Sequence, residues 1–431
     1  MKEKNSRPMI LFSTVLVAVL LVGTIVLLCI DTTKPASNQT DSEQLQEEIN
    51  KKEIDRSRIV NEEVPSCEET DNKGNIESQI GEAAQWEGKY GEVLANPEQM
   101  MKEGIYAKEA ANTDEVVLMF AGDICFDENY SNMYYLSQRG GDISKCFSES
   151  LYEEMINADI FMVNNEFTYT VRGEPIPEKA YTFRSNPENI KLLETMGVDI
   201  VSLANNHAYD YGEISLLDSL DTLENSGMPY VGAGRNFEEA KKPVYFISND
   251  IKIAIVSASQ IERQDNPDTK GATENSPGVF RCWGNGLEDL LETIKEAKAN
   301  SDFVVVYIHW GTENTDELDW AQTYQAPRIA EAGANVIIGG HTHCLQGIDI
   351  TKDVPVIYSI GNFWFNSKNL DAGIVKLTVN KQGLKSFQFL PVKTQSCFTS
   401  FAEGEEKTAI LEYMRSISTN VSMDEEGIVS W

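Results

Sequence analysis

The sequence predicts an α/β domain whose strands are largely parallel, and two observations lead to this prediction. Short apolar runs recur from Val116 onward, and helix-length amphipathic stretches lie between several of them, an alternation typical of parallel strands joined by crossover helices. Towards the end of the chain the apolar runs are separated instead by short turns such as Lys381-Gln382-Gly383. These turns indicate antiparallel strands that complete a sheet.

The N-terminal part is predicted to be a membrane anchor. After a cytoplasmic tail of residues 1–8, residues 9–30 form an uncharged apolar run, long enough to cross a hydrocarbon core of roughly 30 Å as one transmembrane helix. Lys2, Lys4 and Arg7 precede the run and a mostly acidic stretch follows it, so the C-terminal part is expected outside the cell membrane. A cleaved signal peptide and a lipoprotein signal ending at Cys29 are the alternatives.

Residues 31–112 are predicted to form an acidic, flexible stalk. They are rich in Glu, Asn, Gln, Ser and Lys and poor in aromatic and β-branched residues. Such a composition buries too little apolar surface to offset the conformational entropy of the chain. The folded domain is expected at residues 113–395, and residues 396–431 are expected to form a C-terminal helix and a loose tail.

The elements of the domain follow from the apolar pattern, taken in chain order. Strands are predicted at 116–123, 159–163, 198–204, 251–257, 303–308 and 335–338, and then at 355–360, 372–379 and 386–393. Helices are predicted at the amphipathic stretches 187–196, 214–225, 287–298 and 321–332.

Charge and cysteine usage exclude several classes of protein. The formal net charge of −32 at pH 7 opposes a general affinity for nucleic acid or anionic membrane surfaces, so an anionic ligand would need a local cationic or metal site. The seven cysteines show no CxxC spacing, which gives no support to a zinc ribbon or a thioredoxin motif. We predict no particular disulfide.

The four histidines of the chain all stand just beyond predicted strands. They are His207, His309, His341 and His343, in loops rich in Gly, Asn and Trp. Ligands of α/β proteins bind at the carboxyl ends of the strands, so we expect these imidazoles to converge on one site. The alternative is a purely structural role, which would have to account for all four positions.

Oxygen ligands occupy comparable positions. In AGDICFD, Asp123 follows a glycine that would free the backbone to turn sharply, and Asp127 either supports the site or is solvated. In VNNEF, the two oxygens of Glu166 would suit it to bridge a pair of cations. In LANNHAYDYG, Asn206 offers a neutral amide oxygen beside His207.

Asp210 of the same motif has two interpretations. It could accept a hydrogen bond from His207 and fix the tautomer of that imidazole, or it could cap the following helix.

In HWGTE and GGHTH, His309, His341 and His343 complete the set of candidate ligands. The tight Gly-preceded loop would allow both histidines of His-x-His to converge.

Taken in order from Asp123 to Phe363, the motifs GD, NNE, ANNHAYDYG, HWG, GGHTH and YSIGNF resemble those of the CapA family of capsule and poly-γ-glutamate synthesis proteins. This family is a branch of the calcineurin-like metallophosphoesterase superfamily, and the resemblance spans roughly Val116 to Val392. It implies a four-layer α/β/β/α sandwich, in which two mixed sheets pack face to face with helices outside.

The resemblance also implies roles for the site residues. Asp123 and His343 would hold one divalent metal, with Glu166 as the bridge to a second metal. Asn206, His309 and His341 would hold that second metal, and His207 would contact the phosphoryl group or protonate the leaving group. Mn, Fe and Zn are not distinguished. Two such ions lower the pKa of a bridging water and neutralise phosphoryl oxygens.

Two departures from the superfamily pattern concern the first metal. Cys125 stands where an Asp-x-His motif has histidine, and it is either a zinc-binding thiolate or an apolar core residue. Glu166 stands where an aspartate is usual. A mononuclear site is therefore an alternative to the two-metal site.

Substrate-facing groups are predicted around KAYTFRSNP and YSIGNF. Arg184 would be a planar anion clamp or else part of a surface salt bridge, Asn362 would orient His309 or a phosphate, and Trp310 would pack or bind. The implied function is a membrane-anchored, extracytoplasmic phosphoesterase acting on an anionic polymer or phosphorylated intermediate, with membrane synthase components as partners. The alternative is a non-catalytic, metal-dependent polymer-binding subunit of a capsule synthesis and export complex.

Overall fold

The computed structural model of the protein describes residues 88–261 and 269–431. The cytoplasmic tail, the transmembrane segment and most of the stalk predicted above lie outside these residues. Within the two described ranges, no helix combines the length and the apolar character needed to span a bilayer.

The strands, in chain order, are β1 (Ile105–Ala107), β2 (Val116–Ile124), β3 (Ile160–Asn165), β4 (Thr168–Tyr169), β5 (Arg184–Ser185), β6 (Ile200–Ser202), β7 (Tyr230–Val231), β8 (Ala233–Gly234), β9 (Val244–Ser248), β10 (Ile251–Ser259), β11 (Gly278–Val279), β12 (Phe303–His309), β13 (Val336–Gly340), β14 (Leu345–Thr351), β15 (Val354–Ile360), β16 (Asn362–Trp364), β17 (Leu370–Asn380), β18 (Gly383–Gln395), β19 (Phe398–Phe401), β20 (Ser422–Met423) and β21 (Ile428–Ser430).

The α-helices are α1 (Gly91–Leu94), α2 (Pro97–Glu103), α3 (Ser131–Gln138), α4 (Glu149–Asn157), α5 (Lys191–Thr195), α6 (Glu213–Ser226), α7 (Phe237–Ala240), α8 (Gly286–Ala299), α9 (Trp320–Ala332) and α10 (Gly404–Ile417). The longer ones have recognisable ends. An Asp319–Gln322 capping box starts α9, and Gly227 in the left-handed conformation ends α6, as expected of a helix C-terminus.

Two large sheets organise the domain. In the first sheet the strand order is β1-β9-β10-β12-β13-β15-β14, and in the second it is β20-β21-β18-β17-β2-β3-β6-β7. The neighbouring pairs β10–β12, β12–β13 and β13–β15 are parallel in the first sheet, and β2–β3, β3–β6 and β6–β7 are parallel in the second. The long β17–β18 hairpin is antiparallel. The predicted combination of parallel and antiparallel strands is confirmed.

The sheets pack face to face through one apolar core. Phe120 and Ile160 of the second sheet lie in the same buried cluster as Ile255, Val305 and Ile338 of the first. Because side chains alternate between the faces of a strand, the intervening residues bury the opposite faces against helices. Leu151 of α4 and Leu220 of α6 cover the second sheet, whereas Leu290 of α8 and Ile329 of α9 cover the first. The described part is therefore layered α/β/β/α.

The end of the predicted stalk belongs to the folded domain instead. Strand β1 pairs in parallel with β9, Ile105 is buried, and Leu94 and Met100 pack against the outer core of the first sheet. The few apolar residues at 88–112 suffice because they add to an existing sheet rather than forming a core of their own.

The C-terminal segment also differs from the prediction. The expected helix is present as α10, and its Leu411 and Met414 are buried between the sheets. The expected loose tail forms β20 and β21, with Val429 of β21 opposite Phe387 of β18. Two short strands without a clear alternation leave little signal in the sequence.

Candidate metal centre

The predicted site residues meet where strands of both sheets end. From the second sheet, Asp123 lies at the end of β2, Glu166 directly follows β3, and Asn206 lies in the loop after β6. From the first sheet, His309 is the last residue of β12 and the loop after β13 carries two more histidines. Six residues of the candidate site are buried, each at most 6% exposed: Asp123, Glu166, Asn206, His207, His309 and His341.

Gly122 allows the close strand approach that places Asp123. The Asp123 backbone N–H donates to the Gly361 carbonyl (3.3 Å), and Asn362 of β16 stands opposite Asp123 in register. A Cβ added to Gly122 would lie 1.8 Å from the Gly361 oxygen. The prediction that this glycine allows a sharp turn is wrong, because Gly122 lies within β2. A glycine is needed there because any side chain would collide with the backbone at Gly361.

The loop after β13 brings both of its histidines into the site through unusual backbone angles. His341 has φ of 91° and His343 has φ of 57°, the left-handed region that residues with a side chain seldom adopt. Gly340 precedes them, and a Cβ there would lie 2.6 Å from the Tyr307 hydroxyl and 3.3 Å from Asp123 Oδ1. Strained backbone of this kind is typical of functional sites.

Three groups converge on a single nitrogen of His309. Its Nε2 lies 2.7 Å from Asn206 Oδ1, 3.0 Å from His341 Nδ1 and 3.3 Å from Glu166 Oε1. One ring nitrogen can share at most one proton, so hydrogen bonding alone does not explain three close neighbours. Nitrogen and oxygen donors gathered in this way can hold one divalent cation, and Glu166, His309 and His341 each offer a ligand atom within 4.8 Å of the others.

A second group of possible ligands shares Glu166. Asp123, Glu166 and His343 also offer ligand atoms within 4.8 Å of one another, and His343 Nδ1 lies 3.3 Å from Asp123 Oδ2. His343 Nδ1 also lies 2.8 Å from Asn362 Oδ1. Glu166 therefore stands between the two groups, as a bridging carboxylate would.

Unpartnered oxygens show that cations fit these groups. Within the described residues, Glu166 Oε1, Glu166 Oε2 and Asp123 Oδ2 are buried and accept no well-directed hydrogen bond. Burial, followed by the nearby charge of Asp123, raises the pKa of Glu166 well above its usual value. Buried carboxylates are normally paired, hydrogen-bonded or bound to metal, and the donor set matches Mn, Fe or Zn.

Two of the candidate ligand histidines, His309 and His341, are in the neutral form that binds metal. Burial lowers the pKa of His309 to about 3 and lowers the pKa of His341 well below its usual value. Burial also lowers the pKa of His343, but its contact with Asp123 outweighs that effect and raises it. A neutral imidazole offers a free lone pair, so His309 and His341 would release no proton on binding a cation near neutral pH.

Cys125 lies in the apolar core and belongs to neither ligand group. It packs in the buried cluster of the second sheet with Phe126 and Phe167, and burial raises the pKa of its thiol well above the usual value. Of the two interpretations of Cys125, the structure supports the core residue. The group around Asp123 thus has one protein ligand fewer than the Asp-x-His pattern would supply.

His207 and Asp210 form the predicted pair. His207 Nδ1 lies 2.7 Å from Asp210 Oδ2, and both side chains are almost fully buried. The alternative capping role of Asp210 is wrong, because α6 begins at Glu213, its N-cap is Gly212, and no side chain caps it. Burial lowers the pKa of His207.

The remaining predicted residues are also placed. Asn362 contacts His343 and not His309, so that part of the prediction is wrong. Trp310 is buried and donates to the Tyr358 carbonyl (2.8 Å), which makes it a packing residue. The carboxylate of Asp127 accepts from the backbone N–H groups of Asn129 (2.8 Å) and Arg184 (2.7 Å), so it supports the main chain at the start of β5.

Arg184 lies over an aromatic ring. Its guanidinium carbon is 4.5 Å from the ring centroid of Tyr211, and within the described part of the chain its side chain makes no salt bridge. The predicted surface salt bridge is therefore absent from that part. The anion clamp remains a prediction.

Residues that the sequence analysis did not single out support the ligands. Asn164 Nδ2 donates to Asp123 Oδ1 (2.7 Å) and lies 3.3 Å from His309 Nδ1, so it joins the two sheets. Asn205 donates to Asn164 Oδ1 (3.0 Å). Lys179 lies 2.6 Å from Asp210. The doubled asparagines of NNE and NNH are the signal that could have identified the first two, and the position of Lys179 at the start of KAYTFRSNP is the signal for the third.

Comparisons with known proteins identify the family of the chain. A sequence profile described as "Bacterial capsule synthesis protein PGA_cap" matches residues 117–367, which include every ligand described above. PGA biosynthesis protein CapA of Bacillus subtilis (strain 168) is 29% identical over 285 residues, covering 65% of this chain and 72% of that protein.

Two further relatives cover less. Capsule biosynthesis protein CapA of Bacillus anthracis is 29% identical over 227 residues, covering 51% of this chain and 53% of that protein. A probable polyglutamine synthesis accessory protein of Mycobacterium tuberculosis is 26% identical over 208 residues, covering 47% and 55%. The chain thus spans about half the length of these two relatives. Because the family profile matches more than half of its residues, the chain belongs to the bacterial capsule synthesis protein PGA_cap family.

Proposed function

We propose that this protein is a metal-dependent phosphoester hydrolase that serves capsule or poly-γ-glutamate synthesis, with a fold of the metallophosphoesterase type. The observation that carries the proposal is the pair of ligand groups sharing Glu166, with buried carboxylate oxygens that accept no well-directed hydrogen bond. The order of layers, helix, sheet, sheet and helix, is consistent with such a fold.

The chain's own residues define the reaction centre. Asp123 and His343 would hold one cation. The other cation would be held by Asn206, His309 and His341. Glu166 would bind both cations. Two divalent cations in such a site lower the pKa of a bound water and neutralise charge on phosphoryl oxygens. Asp210 orients His207 through Nδ1, which leaves Nε2 as the nitrogen that exchanges a proton with the leaving group.

Arg184 is proposed to bind an anionic part of the substrate. Its guanidinium is planar, lies on the Tyr211 ring and makes no salt bridge within the described residues, so its N–H groups are free to form paired hydrogen bonds with a phosphate or carboxylate. The proposed substrates are phosphorylated glycan, lipid-linked or polymer intermediates.

The site of action is proposed from the sequence alone. The apolar run at 9–30 and its basic N-terminal flank support a single-pass anchor with the catalytic domain outside the cell membrane. The names of the relatives, which are biosynthesis and synthesis accessory proteins, support membrane synthase components as partners.

A second candidate is a metal-dependent polymer-binding subunit without turnover. The position of Cys125 in the core favours it, because the group around Asp123 then holds its cation with fewer protein ligands. Under this alternative one cation, at His309 and His341, would bind a carboxylate of an acidic polymer.

Metal analysis combined with a hydrolysis assay tests the proposal. The purified protein should contain close to two equivalents of Mn, Fe or Zn and should hydrolyse p-nitrophenyl phosphate or bis-p-nitrophenyl phosphate. Asp123→Asn and His341→Gln should abolish hydrolysis while circular dichroism stays unchanged. One bound metal with no hydrolysis of either ester would favour the polymer-binding subunit, and a metal-free protein after reconstitution would contradict both candidates.

A further inference from the structure

Lys179 is a buried cation beside the candidate centre. Its side chain is 4% exposed, although it lies in the largely exposed segment between β4 and β5. Its Nζ donates to Asp210 Oδ1 (2.6 Å) and to the backbone carbonyl of Asn206. It therefore contacts both the carboxylate that orients His207 and the main chain of a proposed metal ligand.

Asp210 connects the segment between β4 and β5 to the candidate centre through hydrogen bonds. Its fully buried carboxylate accepts hydrogen bonds from Lys179, from the Phe183 backbone N–H (2.6 Å) and from His207 Nδ1 (2.7 Å). Its own carbonyl accepts from the Ile176 backbone N–H (2.9 Å). The ring of Phe183 also lies 4.6 Å from that of His207, between centroids.

We propose that Lys179 is a positioning residue, which fixes the main chain at Asn206 and the carboxylate of Asp210 and thereby sets the orientation and tautomer of His207. The consequence for hydrolysis rests on the proposed function, whereas the positioning itself does not. A buried ion pair adds little net stability compared with apolar packing. Here the ion pair fixes the orientation of the Asp210 carboxylate, because the same ammonium group binds Asp210 Oδ1 and the Asn206 carbonyl.

The tautomer of His207 can be read directly by nuclear magnetic resonance. The chain has only four histidines, so the imidazole nitrogen signals of the metal-free protein can be assigned with four single variants. In the wild type, His207 should carry its proton on Nδ1, towards Asp210. In Lys179→Met, the His207 nitrogen shifts should move towards a mixture of tautomers, while the signals of His309 and His341 stay in place.

Lys108→Met is the matched control. Lys108 forms an ion pair with Asp199 that is more exposed than that of Lys179, and neither Lys108 nor Asp199 contacts the candidate centre. This variant also loses one lysine–aspartate ion pair but should leave the His207 signals unchanged. If Lys179→Met does not fold, Lys179→Gln, which is shorter and uncharged, replaces it in the same comparison.

Two functional readouts accompany the spectra. Lys179→Met should weaken binding of Mn²⁺, measured by calorimetry, and should lower kcat for p-nitrophenyl phosphate, each by about 10–100-fold, the range seen for residues that orient metal ligands. KM should change little. A folded Lys179 variant with wild-type His207 signals and wild-type Mn²⁺ affinity would overturn the inference. A tautomer change in a protein that hydrolyses no ester would retain it and reject only the proposed hydrolase.

Discussion

At the scale of single residues, the candidate centre depends on imidazoles that burial keeps neutral. His309 and His341 are nearly inaccessible to solvent, and their pKa values are lowered mainly because burial disfavours the charged form. The same burial that prepares them as ligands makes the metal-free fold sensitive to acid, since unfolding releases this constraint.

We therefore expect the free energy of unfolding to fall on acidification. Between pH 6.5 and about 3, the unfolded chain binds a proton at His309 that the folded protein does not bind, so stability decreases as pH falls through this range. From pH 6.5 to 5 the loss approaches about 2 kcal/mol for each such histidine. Urea unfolding of the metal-free protein at both pH values, compared with His309→Gln, measures it. An equal loss in the variant would assign the acid sensitivity to other groups.

Backbone strain at His341 leads to a second prediction. Its φ of 91° suits glycine better than any residue with a Cβ. His341→Gly should therefore exceed His341→Ala in free energy of unfolding by about 1 kcal/mol, because both variants lose the imidazole but only glycine relieves the strain. Urea unfolding of the two metal-free variants gives the difference. If they are equally stable, the loop holds no such strain.

Sequence alone predicted the candidate site residues whose chemistry is distinctive. The four histidines and the carboxylates Asp123 and Glu166 stand after apolar runs, and the structure brings them together. The sequence did not predict the supporting roles of Asn164, Asn205 and Lys179. Asparagine and lysine are common in loops, and the roles of these three residues depend on contacts with residues distant in the chain. The true partner of Asn362 could not be predicted either, since His309 and His343 are equally compatible with its position in sequence.

At the scale of elements, most of the long strands and helices were predicted, whereas β9, β14, α3, α4 and the shortest strands were not. Strands β10 and β12 and helices α8 and α9 are long enough for their apolar residues to repeat with the period of a strand or a helix. Their sequence pattern therefore predicts them. Strands β1, β20 and β21 have two or three residues each, which is too few for any period. They pair because the edges of existing sheets offer them hydrogen bonds, and an edge exists only in the folded domain.

The approach of β16 to β2 supplies the prediction at this scale. Gly122→Ala should lower the free energy of unfolding by about 3 kcal/mol or more, because the added Cβ would meet the Gly361 carbonyl at 1.8 Å and one backbone has to move. Gly141→Ala is the control. Gly141 has positive φ but open space around its Cβ position, so about 1 kcal/mol is expected. Similar losses in the two variants, measured by urea unfolding, would contradict the steric argument.

At the scale of the whole molecule, the two sheets contribute different ligands. Asp123, Glu166 and Asn206 come from the second sheet, whereas His309, His341 and His343 come from the first. The Asn164–His309 and Asn206–His309 contacts and the groups around Glu166 join them at this end of the interface. A cation held by both sets would therefore tie one sheet to the other.

We expect metal to stabilise the entire domain for this reason. With free Mn²⁺ at about one hundred times its dissociation constant, binding adds about 2.7 kcal/mol to the free energy of unfolding, which a thermal melt detects as a rise in Tm. Glu166→Gln should remove most of this rise, since Glu166 serves both ligand groups. Glu154→Gln, which breaks an ion pair with Lys376 outside the site, should keep it. A full rise in the Glu166 variant would show that Mn²⁺ stabilises the protein elsewhere.

The division of candidate ligands between the sheets also bears on when the protein could acquire a metal. The ligands extend from Asp123 to His343 along the chain, and the last of them emerge only after most of the domain has been made. No chain that ends before His343 contains the complete donor set, so a metal would be selected in the compartment where folding finishes. For a domain that folds beyond the membrane, the ions available there, and not those of the cytoplasm, would determine which one is bound.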